Sequence, residues 1–193
     1  MELINPISSS NLTEKLAFLM KFIASPSQIG SITPSSRFLA KKTLEPIDWN
    51  TTRAIAELGA GTGAFTKHIQ ALKHQDCKVA VFEKDEEMRD ELSTLYPDLL
   101  YFEDALRLSE NVKSMGMESL DAVVSGLPFT LFEKAVRERI IEGVLHSLKP
   151  NGVFVAFQYS LQMKSMLARK FSRVDISFVP LNLPPAFVYV CHK

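Results

Sequence analysis

Cysteine is scarce in this chain of 193 residues. Cys77 and Cys191 stand alone, too few and too far apart for a disulfide framework or a thiolate metal centre. The four histidines are scattered, with no pair at ligand spacing, so no metal site is expected. Neither sign of charge is in excess, with 22 Lys plus Arg against 22 Asp plus Glu. DNA is therefore not an expected partner, and RNA or a membrane would have to be met by a local patch. No run approaches the ~18 apolar residues that span a bilayer. The opening MELINPISSS has neither the basic start nor the apolar core of a signal peptide, and a cytoplasmic location is expected. What remains is an ordinary globular composition, in a chain long enough for one domain with a substantial core.

The pattern along the chain is α/β. NLTEKLAFLMKFIAS (11–25) reads as a helix capped by Ser10 or Asn11 and stopped before Pro26. A turn-rich linker leads to a second helix at about 35–44. Apolar strands then alternate with helices: RAIAEL (53–58), a helix over 64–73, KVAVFE (78–83), the charged KDEEMRDELSTLY helix, LLYFED, and LDAVVS (120–125). LFEKAVRERIIEGVLHSL follows as an amphipathic helix closed by KPNG, then VFVAFQY (153–159). Continuous apolar strands between helices mean a parallel sheet covered on both faces. The tail, SRVDISFVPLNLPPAFVYVCH, has two β-rich runs and no helix between them. It predicts a hairpin whose last strand enters the sheet antiparallel. The expected organisation is an N-terminal helical segment, 1–45, and one folding unit, 46–193.

Glycine is also sparse, with eight in the chain, yet three fall within five residues: Gly59, Gly61 and Gly63 of ELGAGTG. The run ends the first strand and opens the next helix, where backbone N–H groups are free to meet a ligand. A ligand-free tight turn is the competing reading. Gly59, Gly61 and Ala64 also satisfy the dinucleotide pattern G-x-G-x-x-[G/A], which alone is weak. Glu57, two residues before the first glycine, would repel a pyrophosphate. It suits a ligand carrying an ammonium or sulfonium.

ELGAGTG at the first turn, an acid ending the second strand and LKPNGVFV before the fifth together resemble a class I S-adenosylmethionine (SAM) dependent methyltransferase. The resemblance covers roughly residues 30–193. It implies a Rossmann-like, seven-stranded, mostly parallel sheet with an antiparallel last strand, helices on both faces, and additional N-terminal helices. It also implies SAM as cofactor, with S-adenosylhomocysteine as product. Carried over residue by residue, Glu57, Gly59, Ala60, Gly61, Thr62 and Gly63 hold the methionine and ribose part. Glu83, beside Lys84, accepts from the ribose hydroxyls, or is simply a strand-end carboxylate facing water. Asp104, beside Ala105, takes the adenine amine, and a shift of one residue would give that role to Glu103. Pro34, Ser35 and Ser36 of TPSSRFLAKK match a segment closing over SAM, and Ser125 lies at the cofactor side of the fourth strand.

SGLPF, Ser125 to Phe129, occupies the corner facing the transferred methyl group. In the rRNA adenine dimethylases this corner reads Asn-Leu-Pro-Tyr or Asn-Leu-Pro-Phe, the Asn carbonyl accepting from the base amine. Here Leu127, Pro128 and Phe129 keep the pattern and Gly126 replaces the Asn. SGLPF, GSITPSSRFLAKK and NLPPAFVYV together resemble instead the bacterial phospholipid N-methyltransferases, which methylate phosphatidylethanolamine. A saturated amine needs no acceptor to localise its lone pair, only the loss of a proton. Phe129 and Tyr159 are the expected walls of that site, or else simply pack. The expected catalytic set is Ser125, Gly126, Leu127, Pro128, Phe129 and Tyr159. Phe18 and Phe22, flanked by Lys15 and Lys21, suit a helix lying peripherally on the inner face of the membrane, with a lid helix packed on both sides or a dimer contact as the competing reading. Lys41 and Lys42, like the cluster Lys164, Arg169, Lys170 and Arg173, are candidates to meet lipid phosphate, although such runs read first as solvated faces. The alternatives are an adenine methyltransferase of structured RNA and a catalytically silent SAM-binding module.

Overall fold

The computed structural model describes residues 34–182 and 184–193. The expected helix over 11–25 and its linker lie outside the described residues, as do the side chains of Pro34, Ser35 and Ser36. Seven strands form one sheet: β1 (Ala54–Leu58), β2 (Lys78–Phe82), β3 (Leu100–Phe102), β4 (Leu120–Ser125), β5 (Leu148–Gln158), β6 (Arg173–Val179) and β7 (Ala186–His192). Their spatial order is β3-β2-β1-β4-β5-β7-β6. All run parallel except β7, which pairs antiparallel with β5 on one side and β6 on the other. The hairpin expected at the tail is present, with its second strand wedged inside the sheet. No described helix is long and apolar enough to cross a membrane.

Alternation along each strand builds two cores. Ala56, Leu58, Val123, Phe154 and Ala156 face one side. There they meet α4 (Leu108–Ser114), α5 (Lys134–Ser147) and α6 (Lys164–Lys170). Ile140, Ile141 and Val144 of α5 fall on one helical stripe and are buried. Ile55, Val79, Val81, Val124 and Val155 face the other side, covered by α1 (Pro34–Leu44), α2 (Thr66–Leu72) and α3 (Glu86–Leu95). Burial on both faces is why these strands carry unbroken apolar runs. Helix α1 places Leu39, Ala40 and Leu44 in this second core, and Pro34–Lys193 forms one compact unit, whereas the sequence reading groups that helix with residues 1–45.

Three elements differ from the sequence reading. Helices α4 and α6 were not expected: at seven residues each, they bury only Leu108 with Val112, and Met166 with Leu167, too few positions to make a periodic signal. The KPNG turn lies within β5, where Asn151 takes φ 64° and the register against β4 shifts between Leu120 and Ala122, as at a β-bulge. Helix α5 begins at Lys134 rather than 131, because Phe129–Leu131 forms a 3-10 turn.

The ends of β1, β4 and β5 away from the glycine turn are tied by one carboxylate. Asp121 accepts from the backbone N–H groups of Arg53 (2.7 Å) and Ala54 (2.8 Å) and pairs with Lys149. Burial works to raise its carboxyl, and Lys149 with the two backbone donors outweighs it and holds the group low. Asp121→Ala removes an acceptor that serves three donors. It is expected to cost about 2–3 kcal/mol, measured as a lowered midpoint in urea unfolding.

Candidate active site

The strand order reverses between β1 and β4, since the chain runs outward from β1 through β2 to β3 and returns to start β4 on the other side. Ligands of open α/β sheets bind in the crevice outside the carboxyl ends of the strands at such a switch point. The two turns that leave those ends are Gly59–Gly63 and Ser125–Phe129. Gly59, Gly61 and Gly63 all have positive φ, at 73°, 54° and 80°, a conformation that strains any residue with a Cβ. Gly59 and Ala60 donate to the Phe82 carbonyl at the end of β2 (2.8 and 3.2 Å). A Cβ on Gly59 would lie 2.7 Å from Leu127 Cδ2, and one on Gly63 would collide with Leu92. Among the described residues nothing lies within 4 Å of the place a Cβ on Gly61 would take. The middle of the turn is an open cradle.

Two carboxylates serve that cradle. Glu83, half-buried just after β2, accepts from the N–H groups of Gly61 (2.6 Å) and Asp85 (3.0 Å), one on each oxygen. Glu57 is wholly buried beneath the turn. Its Oε2 accepts from Thr66 Oγ1 at 2.7 Å, and its Oε1 has no partner among the described residues. Loss of water pushes its carboxyl from 4.5 up to about 7, opposed by the Thr66 hydrogen bonds and assisted by the charge of Glu83. An orphaned buried acceptor of this kind is costly unless something donates to it. Asp104 is exposed and caps the 3-10 turn Ala105–Arg107, accepting from Leu106 N–H at 2.9 Å. Lys84, Thr62 and Glu103 are exposed, and Ala105 is half-buried.

The SGLPF corner is stacked on the glycine turn. Ser125 is buried, and its hydroxyl accepts from Leu127 N–H (3.2 Å). Gly126 N–H donates to the Leu58 carbonyl at 2.9 Å. A Cβ on Gly126 would sit 2.8 Å from the Gly59 carbonyl oxygen, a backbone atom that cannot swing aside, and 3.8 Å from Phe157 Cε1. The glycine is thus demanded by the close approach of two turns. Leu127 is pinned from the far side, its carbonyl accepting from Gln158 Nε2 at 2.9 Å.

Comparison with known proteins shows the family. Residues 29–178 match the family described as the methyltransferase small domain. The chain is 35% identical over 179 residues to an ornithine lipid N-methyltransferase of Singulisphaera acidiphila, covering 90% of this chain and 93% of that protein. The chain is a class I methyltransferase of the small domain family. Two solved structures share the fold with a TM-score of 0.68 each. One is a Burkholderia thailandensis 1,6-didemethyltoxoflavin-N1-methyltransferase with bound S-adenosylhomocysteine (14% identity, 99% of this chain and 93% of that one). The other is the N-methyltransferase NodS of Bradyrhizobium japonicum with the same ligand (13% identity, 95% and 98%).

Methyltransferases of this class use SAM. The residues present fit it: an open glycine cradle, and beneath it a buried carboxylate oxygen with no donor, which a cationic ligand would satisfy. The acceptor side differs from expectation in one residue. Phe129 is fully buried in the core, its ring edge-to-face with Phe132 and Phe154 at centroid separations of 6.2 and 6.4 Å, so it offers no open wall. The ring beside Gly126 is Phe157, edge-on to Phe65 (5.6 Å) and to half-buried Tyr159 (5.8 Å). Phe157 is the residue the sequence reading passed over, although the two-residue period of a strand puts it on the face of Tyr159. Burial pushes the Tyr159 phenol up, with a side-chain hydrogen bond to Asn182 pulling the other way. Asn182 is buried and donates to the Pro184 carbonyl at 2.7 Å.

Two outcomes are expected. Because Glu57 binds its proton more tightly folded than unfolded, the protein loses about 3 kcal/mol of stability as pH rises from 4.5 to about 7. Glu57→Gln flattens that slope in urea unfolding at a series of pH values. A cation beside Glu57 favours its ionised form, so SAM binding at about pH 6 releases a proton. Calorimetry in buffers of different ionisation enthalpy detects that release in the parent and not in Glu57→Gln. Separately, Gly126→Ala forces the two turns apart, at a cost of about 1–3 kcal/mol in stability and with weakened SAM binding by the same calorimetry.

Proposed function

We propose that the chain transfers a methyl group from SAM to the alkyl amine of a lipid headgroup at a membrane surface. One observation carries this reading: the corner where an adenine methyltransferase would place an amide acceptor holds Gly126, and the Gly59 carbonyl 2.8 Å from its missing Cβ leaves no room for a side chain. The 35% identical ornithine lipid N-methyltransferase supports an aminolipid. Phosphatidylethanolamine, the acceptor implied by the resemblance, presents the same primary amine. The cofactor supplies a methyl group on a sulfonium, open to in-line attack. Glu57, Gly59, Ala60, Gly61, Thr62 and Gly63 cradle it, with Glu83, Lys84, Asp104, Ala105 and Ser125 around its nucleoside, and Pro34, Ser35 and Ser36 closing over it.

What the chain's own residues must do is deliver a neutral amine. With an ordinary pKa near 10.4, losing the proton at pH 7 costs roughly 4–5 kcal/mol. A dry site beside a cation lowers that pKa, and Phe65, Phe157 and Tyr159 make the side next to Gly126 apolar and aromatic. Their faces also hold methylated ammonium by cation–π attraction. The segment 11–25, whose sequence reads as a helix, contributes membrane contact in this proposal, with the chain peripheral on the cytoplasmic leaflet.

Incubation with labelled SAM and, in parallel, vesicles of phosphatidylethanolamine, vesicles of ornithine lipid, and structured RNA tests the reading. Label is expected in an aminolipid. Label in RNA alone would overturn it, and SAM binding with no label anywhere would point to a silent module. Phe157→Ala is expected to lower kcat/KM for the aminolipid about tenfold and to shift the pH–rate profile to higher pH, as an amine in a wetter site holds its proton longer.

A further inference from the structure

We infer that the sheet edge beyond β6, with the last turn of α1, is a second membrane-contact face: Phe38, Phe178 and Leu181 enter the headgroup layer of an anionic bilayer while Lys41 and Lys42 meet its phosphates. The inference rests on the aminolipid reading, and it concerns residues outside the 11–25 helix.

Large apolar side chains exposed singly on a surface need no explanation. Here three of them share one feature. Phe38, Phe178 and Leu181, at 48%, 56% and 62% exposure, line a groove of about 230 Å³ together with Pro180. Both aromatic members of the exposed apolar set are in it. Its rim carries Lys41, Lys42 and Glu45, and Lys42 neutralises Glu45 at 2.8 Å, leaving Lys41 as the charge without an ion pair among the described residues. Aromatic and leucyl side chains flanked by a pair of lysines are the chemistry of a surface that sits at the headgroup boundary, rings in the acyl border and ammonium groups toward phosphate.

Position argues for the same occupant. Phe178 is in register with Phe187 of β7, and Phe187 with Gln158 of β5. Gln158 is the residue that pins Leu127 of the corner. Since β6 runs parallel to β1 and β4, the groove and the corner open at the same carboxyl edge. Three strand spacings, about 14 Å, separate β6 from β4. A bilayer resting on this groove therefore lies alongside the corner, and a headgroup amine need leave it only slightly to reach Gly126. A peptide or a second copy of the chain explains neither the lysines nor the shared edge.

The test uses the full chain and co-sedimentation with vesicles of phosphatidylglycerol and phosphatidylcholine in equal parts, or of phosphatidylcholine alone. Phe178→Ser with Leu181→Ser is expected to weaken binding to the mixed vesicles about tenfold. Lys41→Glu with Lys42→Glu is expected to abolish the preference for the anionic vesicles, as added salt does in the parent. Both double variants should remain folded and keep the parent's turnover of a short-chain phosphatidylethanolamine dissolved as monomers, the serine variant giving up the contact of the Phe178 ring with Phe187 at a centroid separation of 5.1 Å. Vesicle binding equal to the parent in both variants would overturn the inference. So would a change of oligomeric state by light scattering in the serine variant, which would mean that a second copy covers the groove. If the parent binds vesicles through these residues but methylates no aminolipid, the face stands and the substrate reading falls.

Discussion

A single hydrogen bond, Gly126 N–H to the Leu58 carbonyl at 2.9 Å, holds the turn after β4 against the turn after β1. Everything specific to the crevice follows from that closeness. It fixes residue 126 as glycine, removes an amide from the acceptor corner, and seats Leu127 against Gly59. Beside that contact, Gly61 has open space above it among the described residues, and Glu57 is buried. Cofactor cradle and acceptor corner are thus two sides of one backbone junction, and neither turn can be remodelled alone.

Electrostatics in the crevice are set by what is withheld. Glu57 keeps one carboxylate oxygen without a donor, an expensive arrangement in a finished core and a sensible one in a receptor for a cation. Glu83 is treated oppositely, with a backbone N–H on each oxygen. One acid is pre-satisfied and rigid, the other waiting. Beside Gly126 stands the Phe157 ring, edge-on to Phe65 and Tyr159, and in the proposed reaction such rings favour a neutral amine over a charged one.

Much of this was legible in the residues. ELGAGTG placed the cradle because three positive-φ glycines in five positions have few other uses, and Glu57 and Glu83 stood at fixed distances from it. The unbroken apolar strands announced a sheet buried on both faces, and the helix-free tail announced the antiparallel strand. The misses have physical causes. Helices of seven residues with two buried positions, α4 and α6, lack the length for periodicity to show. Phe129 looked like a site wall because it belongs to the corner motif, yet the 3-10 turn after Pro128 carries its ring into the opposite core. Phe157 was hidden in plain view by an apolar strand in which every residue looks alike until the sheet assigns faces. That Glu57 would lack a donor is invisible in one dimension, because it depends on what fails to approach.

The placement of β7 has a bearing on how the molecule is assembled. β6 touches the sheet only through β7, so losing the pairing of residues 186–192 with β5 would detach both strands of the hairpin together. The groove at Phe178 therefore hangs on the β5–β7 ladder, in which Phe187 faces Gln158, the same residue that holds Leu127 of the corner. Surface edge and crevice share one anchoring residue, and a change at Gln158 would be felt at both.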